Sequence, residues 1–136
     1  MYFQNPVPTR SYPPPGNVVS VQTHVFWRHK GIVSDRWHNG KPLVISASAR
    51  AGVASEEPWD TFSAGDPVQD DGYPSTLPRW EVLRRARMMI GRQYILLKFN
   101  CDHFVALAHG QEPKSPQLGA TVVVALAAIL IGAAMS

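Results

Sequence analysis

The stretch Asn100-Cys101-Asp102-His103-Phe104 contains the only cysteine of the chain and stands just before an apolar segment with helical spacing. This pattern predicts a helix that begins at Cys101 and continues to Ala108 or His109. Gly110 then provides its C-terminal stop. The unpaired N–H groups and the dipole of a helix N-terminus stabilise a thiolate, which is the reactive form of cysteine. Cys101 is therefore a candidate nucleophile, and a half-buried structural thiol is the alternative interpretation.

The composition is typical of one small globular domain. Of the 136 residues, 45% are hydrophobic and 17% are charged, which excludes wholesale disorder. The formal net charge of +3 is too small an excess to indicate nucleic-acid binding. A single cysteine cannot form an internal disulfide, and the Cys/His spacings of structural zinc sites are absent from the sequence. We therefore expect no metal and no cofactor.

The two ends of the chain differ from its middle. Residues 1–16 are rich in proline and predict an extended lead-in that does not resemble a signal peptide. Residues 118–135, from Leu118 to Met135, contain no charged residue and approach the minimum length of a membrane span. A buried core helix is the alternative, but no later strand follows to cover it. We therefore expect a C-terminal hydrophobic helix that anchors the protein to a membrane, with the preceding domain on the cytoplasmic side.

Several segments have the composition of β-strands. They are residues 17–23, 29–35 and 42–48, a short strand near 52–54 followed by loop, and an extended segment at 93–99. Between the second and third of these lies Asn39-Gly40, the strongest short signal for a β-hairpin turn. The sequence therefore predicts an antiparallel hairpin in the first half of the chain.

The hairpin places a histidine near two serines. With Asn39-Gly40 at the centre of the turn, His29 lies opposite Arg50, and Ser48 and Ser46 occupy the same face one and two steps along. A single bulge would change this register. In either case, we expect His29 and a small polar residue of the second strand to share one face.

A basic helix is predicted before the cysteine. Pro78 fits its first position, apolar residues recur at helical spacing, and Gly91 ends it. Five arginines make this helix strongly basic, namely Arg79, Arg84, Arg85, Arg87 and Arg92. Such a run indicates either a solvated face or a face that contacts anionic lipid headgroups.

A cysteine nucleophile needs a base to accept its proton. The histidines available are His24, His29, His38, His103 and His109. His38 lies in the hairpin turn, and His109 closes a helix, where a cation suits the dipole. His103 projects about 200° away from Cys101 on the same helix, so it is not well placed as the base. His29 is favoured, because the residues after it place it within a paired strand.

Three segments carry a resemblance to a known family. They are Arg28-His29-Lys30-Gly31-Ile32-Val33, Val44-Ile45-Ser46 and Asn100-Cys101-Asp102-His103-Phe104. Together they resemble the lecithin:retinol acyltransferase-like proteins, a circularly permuted branch of the NlpC-type papain-like superfamily. The resemblance implies that Cys101 is the nucleophile and His29 the base. Ser46 stands where many members have a second histidine, and Ser48 is the nearest alternative for orienting His29 by a hydrogen bond.

The resemblance spans residues 17–113 and implies a catalytic α+β domain. Its antiparallel sheet would carry the cysteine-bearing helix, and the N–H of Cys101 would stabilise the oxyanion. The implied activity is hydrolysis or transfer of acyl groups from a membrane phospholipid, or another acyl donor, through a thioester. Two alternatives stay open. One is a cysteine peptidase or amidase, and the other is a catalytically inactive, membrane-anchored interaction module, which Ser46 favours.

Overall fold

The computed structural model describes residues 11–24 and 27–119. The strands are β1 (Val18–His24), β2 (Trp27–His38), β3 (Lys41–Ala47), β4 (Ala54–Glu57) and β5 (Gln69–Gly72), and the helices are α1 (Trp59–Ser63), α2 (Arg79–Met88) and α3 (Cys101–Ala108). All neighbouring strands are antiparallel, in the order β4-β3-β2-β1-β5. The predicted α+β class with an antiparallel sheet is therefore confirmed.

The predicted hairpin is present between β2 and β3. Asn39 and Gly40 have φ values of 53° and 75°, as a two-residue turn with both residues left-handed requires. Next to the turn, Trp37 pairs with Pro42, but further along Ile32 pairs with Ile45. The irregularity between these pairs shifts the register by two residues, so the predicted pairing of His29 with Arg50 is wrong. A shift of two residues keeps every side chain on its face.

Alternation along the strands divides the core between the two faces of the sheet. One face carries Val18, Ile32 and Ile45, which join a cluster with residues of α2 and α3. The other carries Val19, Val33 and Val44, which pack with Phe62 of α1. The sheet therefore separates an α2–α3 side from an α1 side.

The two longer helices follow the sequence signals. Helix α2 begins after Pro78, which occupies the N-cap and not the first helical position, and Gly91 follows its end with a φ of 88°. Helix α3 covers Cys101–Ala108 as predicted, with His109 at the C-cap and Gly110 beyond it. Both ends are set by local residues.

The arginines of α2 are engaged by the protein's own groups. Arg84 and Arg85 both bind the Glu81 carboxylate, at 2.6 and 3.0 Å. Arg87 binds Asp35 across the fold at 2.6 Å and Glu56 at 3.2 Å. Arg84, Arg85 and Arg87 therefore bind carboxylates of the protein itself.

Several parts of the fold differ from the sequence-based expectation. The short strand predicted near 52–54 is β4, which begins at Ala54. Both α1 and β5 occupy a region predicted as loop, and β5 contains the strand-disfavouring pair Asp70-Asp71. Residues 93–99 are not an extended strand, since they form isolated bridges and a turn. In each case tertiary contacts override the local pattern.

The structure describes only part of the two predicted terminal segments. Positions 1–10 of the lead-in and positions 120–135 of the hydrophobic segment lie outside the described residues. Within the described ranges, every helix is too short or too polar to cross a bilayer.

Gly31 lies where the sheet leaves no room for a side chain. A Cβ at this position would come within 2.5 Å of Val44 Cγ1 and 3.1 Å of the Ile45 carbonyl oxygen. We expect Gly31→Ala to lower the free energy of unfolding by about 1–3 kcal/mol, because the strand must shift to accept the methyl group. Urea unfolding at pH 7 measures this change.

Gly119→Ala is the matched control, because among the described residues outside its own helical turn no heavy atom lies within 4 Å of the added Cβ. This control is expected to change stability by less than about 0.5 kcal/mol. Equal stability of the two variants would contradict the close packing at Gly31.

Candidate functional site

The N-terminus of α3 is closed by reciprocal capping bonds. The Asn100 side-chain oxygen accepts from the N–H groups of Asp102 and His103, at 2.9 and 3.2 Å. In return, the Asn100 N–H donates to His103 Nδ1 at 3.0 Å. His103 is therefore a capping residue, in agreement with its exclusion as the base. The N–H of Cys101 makes no hydrogen bond within the described ranges.

The Cys101 thiol is buried against the backbone of β2. Cys101 is only 1% exposed, and its S–H donates to the Arg28 carbonyl oxygen over 3.8 Å. The backbone N–H of Lys30 and the indole of Trp27 also interact with the sulfur. Pairing of β2 with β3 has ended before this point, since its last pair is Ile32 with Ile45. The sulfur thus lies beside the end of β2 that pairs with β1 but extends past β3.

The His29 imidazole lies on the α1 side of the sheet. Its ring packs against Phe62 with 5.0 Å between centroids and 39° between planes. His29 pairs with Val21, which belongs to the same apolar cluster as Phe62. Among the residues described, no hydrogen bond joins this imidazole to the Cys101 thiol. In the described part of the chain, the structure therefore does not join the predicted base and nucleophile by a hydrogen bond.

The two candidate orienting serines lie on β3 and just beyond it. Ser46 is 1% exposed and pairs with Ser55 of β4. Ser48 Oγ accepts the Ala51 N–H at 3.2 Å and so caps the turn that follows β3. In the described part of the chain, neither hydroxyl forms a hydrogen bond with the His29 ring.

A buried carboxylate adjoins the cysteine. Asp102 Oδ1 forms an ion pair with Lys30 Nζ at 3.0 Å, while the Asp102 side chain is 1% exposed. The same carboxylate accepts from Ser115 Oγ at 2.8 Å and from Gln117 Nε2 at 3.0 Å. A charge at this depth is tolerated because a cation and several donors surround it.

Residues 115–117 cover the start of α3. Gln117 Nε2 donates to the Arg28 carbonyl oxygen at 2.9 Å, and the Arg28 N–H donates to Gln117 Oε1. Asn100 Nδ2 donates to Ser115 Oγ at 2.9 Å. The Cys101 thiol and the Gln117 amide thus share one acceptor, the carbonyl of Arg28. No spacing or composition signal in the sequence indicates this contact.

A cleft of about 830 Å³ lies beside this covered region. Arg28, Lys30 and Asp102 contribute polar groups to its wall, and Val105 and Pro116 contribute apolar ones. The cleft is large enough for a small ligand or part of a chain-like one. Lys30 and Asp102 are among the residues that line the cleft, whereas Cys101 is not.

Burial controls the protonation of both candidate catalytic groups. Burial raises the pKa of the Cys101 thiol. The hydrogen bond from the Lys30 N–H opposes this effect in part, and the Asp102 charge adds to it. Burial lowers the pKa of His29 from 6.5 to about 4, with Glu57 acting in the opposite direction. At neutral pH the site therefore holds a protonated thiol and a neutral imidazole.

No protein-family model matches this chain, and no curated protein matches it either. Any proposal for function therefore rests on the three short segments that resemble the lecithin:retinol acyltransferase-like proteins and on the geometry of this site. Chemically, the arrangement offers one enclosed thiol at a helix start, an N–H beside it, and a neutral imidazole on the neighbouring strand.

Alkylation by iodoacetamide tests the state of the thiol. In the folded protein we expect the labelling rate of Cys101 to rise only at a pH above the ordinary thiol midpoint of about 8.5, because burial disfavours the thiolate. In denaturant the midpoint is expected to return to about 8.5. A midpoint near neutrality in the folded protein would contradict the enclosed environment described here.

The depressed pKa of His29 also predicts a pH dependence of stability. Between pH 6.5 and pH 4 the unfolded chain binds more protons at this residue, so stability falls as the pH is lowered through this window. The His29 contribution lost is up to about 3 kcal/mol. Urea unfolding at pH 7 and pH 4.5 is expected to show a smaller acid loss for His29→Gln than for the unmodified protein.

His38→Gln, at an exposed position beside the hairpin turn, is the control and is expected to keep the full acid loss. An identical acid loss in His29→Gln would show that the imidazole is not buried.

Proposed function

We propose that this chain is a cysteine-dependent acyl hydrolase or acyltransferase that acts on lipid esters at a membrane. The observation that carries the proposal is the position of Cys101 as the first residue of a capped helix, with its own N–H unpaired within the described ranges. A nucleophile at such a position has an oxyanion donor beside it before any substrate binds. A purely structural thiol needs neither feature.

The proposal includes a permuted papain-like arrangement of the NlpC type. The strand that carries His29 and the strand that carries Ser46 both precede the cysteine-bearing helix in the chain. Helix α3 packs on the sheet against β2 and β3. This order of elements is the one that the resemblance to the lecithin:retinol acyltransferase-like proteins implies.

In the proposed reaction His29 accepts the proton of the Cys101 thiol, and the sulfur attacks the ester carbonyl carbon. The resulting oxyanion accepts from the Cys101 N–H. The intermediate then expels the alcohol, which takes the proton from the imidazolium, and a thioester remains on Cys101. Water or a second alcohol or amine next gives its proton to His29 and attacks the thioester. This step releases the acyl product and restores the thiol.

This mechanism requires the imidazole to leave Phe62 and reach the sulfur. The thiol contacts the Arg28 carbonyl and the Lys30 N–H, which flank His29 in the strand, so the sulfur lies beside the backbone of His29. Approach of the ring would also change both pKa values, because an adjacent imidazolium stabilises a thiolate. The described arrangement is then a resting state with both groups neutral.

The substrate class in the proposal is a phospholipid or another acyl donor of a bilayer. The charge-free sequence of residues 118–135 supports a membrane anchor, with the catalytic domain on the cytoplasmic side. The cleft beside Lys30 and Asp102 has apolar wall residues such as Val105, as an acyl chain requires.

A second candidate function is a non-catalytic, membrane-anchored interaction module. The separation of the His29 ring from the Cys101 thiol favours it. So does the absence of charge at Ser46, which orients an imidazole less strongly than a second histidine does.

Substitution of the nucleophile separates the two candidates. We expect Cys101→Ala to reduce fatty acid release from phosphatidylcholine vesicles by about 10³-fold or more, because no thioester can form. Intact mass measurement of the unmodified protein after exposure to the vesicles is expected to show one added acyl group on Cys101.

His29→Gln is expected to lower the same rate by about 10²-fold to 10⁴-fold, as loss of a general base does. His38→Gln provides the matched histidine control and is expected to retain activity. Release that persists in Cys101→Ala would refute the thiol mechanism, while no release and no acyl adduct in the unmodified protein would favour the non-catalytic module.

A further inference from the structure

The segment before the cysteine-bearing helix displays consecutive apolar side chains to solvent. Ile95 is 44% exposed, Leu96 50% and Leu97 69%, and the exposed Lys98 follows them. Burial of a single leucine is favourable by about 1.5–3 kcal/mol, so a run of exposed ones is unusual on a surface that stays in water. We call residues 95–98 the apolar turn.

The apolar turn has a defined shape. The Ile95 N–H donates to the Phe99 carbonyl oxygen at 3.0 Å, and the Phe99 N–H donates back to Ile95 at 2.6 Å. Phe99 itself is 1% exposed and meets Phe104 of α3 edge to face. Buried Phe99 therefore anchors the apolar turn to the core, while the side chains of Leu96 and Leu97 are exposed to solvent.

The side chain of Asn100 joins the apolar turn to the C-terminal segment. Its Nδ2 donates both to the Leu96 carbonyl oxygen and to Ser115 Oγ, each at 2.9 Å. The Leu118 N–H donates to the same Ser115 hydroxyl at 3.2 Å. The chain therefore passes directly beside the apolar turn before it enters positions 120–136, which contain 17 residues and no charged side chain.

We propose that the apolar turn is a membrane-contact element that inserts Leu96 and Leu97 into the interface of a bilayer, with Lys98 at the level of the headgroups. The exposed leucine pair and residues 115–118 meet at the Asn100 side chain, and the uncharged sequence continues from Leu118, so one bilayer can accept both. Lysine beside inserted leucines keeps its stem in the interface and its ammonium group among anionic headgroups. This surface goes beyond the proposed chemistry, and it applies equally to an inactive module.

The proposal can be tested by a fluorescent label on the apolar turn. The full chain carrying Leu97→Cys and Cys101→Ala has one thiol, which accepts an environment-sensitive fluorophore. Adding vesicles of phosphatidylcholine and phosphatidylserine in equal parts is expected to raise its emission several-fold and shift it to shorter wavelength. Lipids brominated on their acyl chains are expected to quench it.

The matched control carries Trp37→Cys and Cys101→Ala. Trp37 is 59% exposed, but it lies nine positions along β2 from Arg28, or about 30 Å from the site. Its label is expected to stay unchanged when vesicles are added. Because both variants lack the nucleophile, the result does not depend on catalysis.

Three outcomes would overturn the proposal. The labelled protein could float with vesicles while its label at position 97 stays aqueous, which would assign binding to the tail alone. The protein could fail to float with the vesicles at all. The label could instead respond to protein concentration without lipid, together with dimers in sedimentation, which would assign the apolar turn to a second copy of the chain.

A double substitution provides a second measurement. Leu96→Ser with Leu97→Ser is expected to lower vesicle affinity about tenfold or more without changing the thermal midpoint, because both side chains are exposed. Met88→Ser, at a residue that is 73% exposed on α2, is the control and is expected to leave affinity unchanged. Equal affinities of these two variants would argue against insertion.

Discussion

The buried carboxylate of Asp102 holds the cysteine-bearing helix against the sheet. It binds Lys30 of β2 and accepts hydrogen bonds from Ser115 and Gln117, while its own N–H is capped by Asn100. A carboxylate that is 1% exposed would be costly without these partners, because water no longer solvates its charge. Lys30 and residues 115–117 are distant in sequence from Asp102, so this ion pair and these hydrogen bonds form only in the folded protein.

The same enclosure determines the chemistry available to Cys101. Its sulfur lies beside β2 under the covering residues 115–117, where low polarity and the neighbouring carboxylate disfavour a thiolate. The imidazole of His29 experiences a similar loss of solvent on the opposite side of the sheet, against Phe62. The thiol of Cys101 and the imidazole of His29 are therefore both neutral at pH 7. Any catalytic cycle has to begin with a rearrangement that joins them.

Asn100 connects this site to the surface of the molecule. One side-chain amide caps α3, binds the apolar turn through Leu96 and binds the C-terminal segment through Ser115. The exposed leucines, the cysteine and residues 115–118 therefore lie at one corner of the fold. A surface that faced a bilayer at this corner would bring lipid within reach of the cleft beside Lys30.

The sequence by itself determined the hairpin, α2 and α3, because each begins or ends with a local signal: Asn39-Gly40 at the turn, Pro78 before α2, and Asn100 and Gly110 around α3. Such signals act through a few neighbouring residues, so they can be read without the rest of the chain. Only the tertiary structure decided the irregularity in β2, the pairing of β5 with β1, and the folding of residues 115–117 onto α3. It also decided which side of the sheet receives the His29 ring. These features depend on contacts between positions far apart in the chain, such as Lys30 with Asp102. Such contacts determine which face of the sheet each side chain occupies, and no local sequence pattern predicts this.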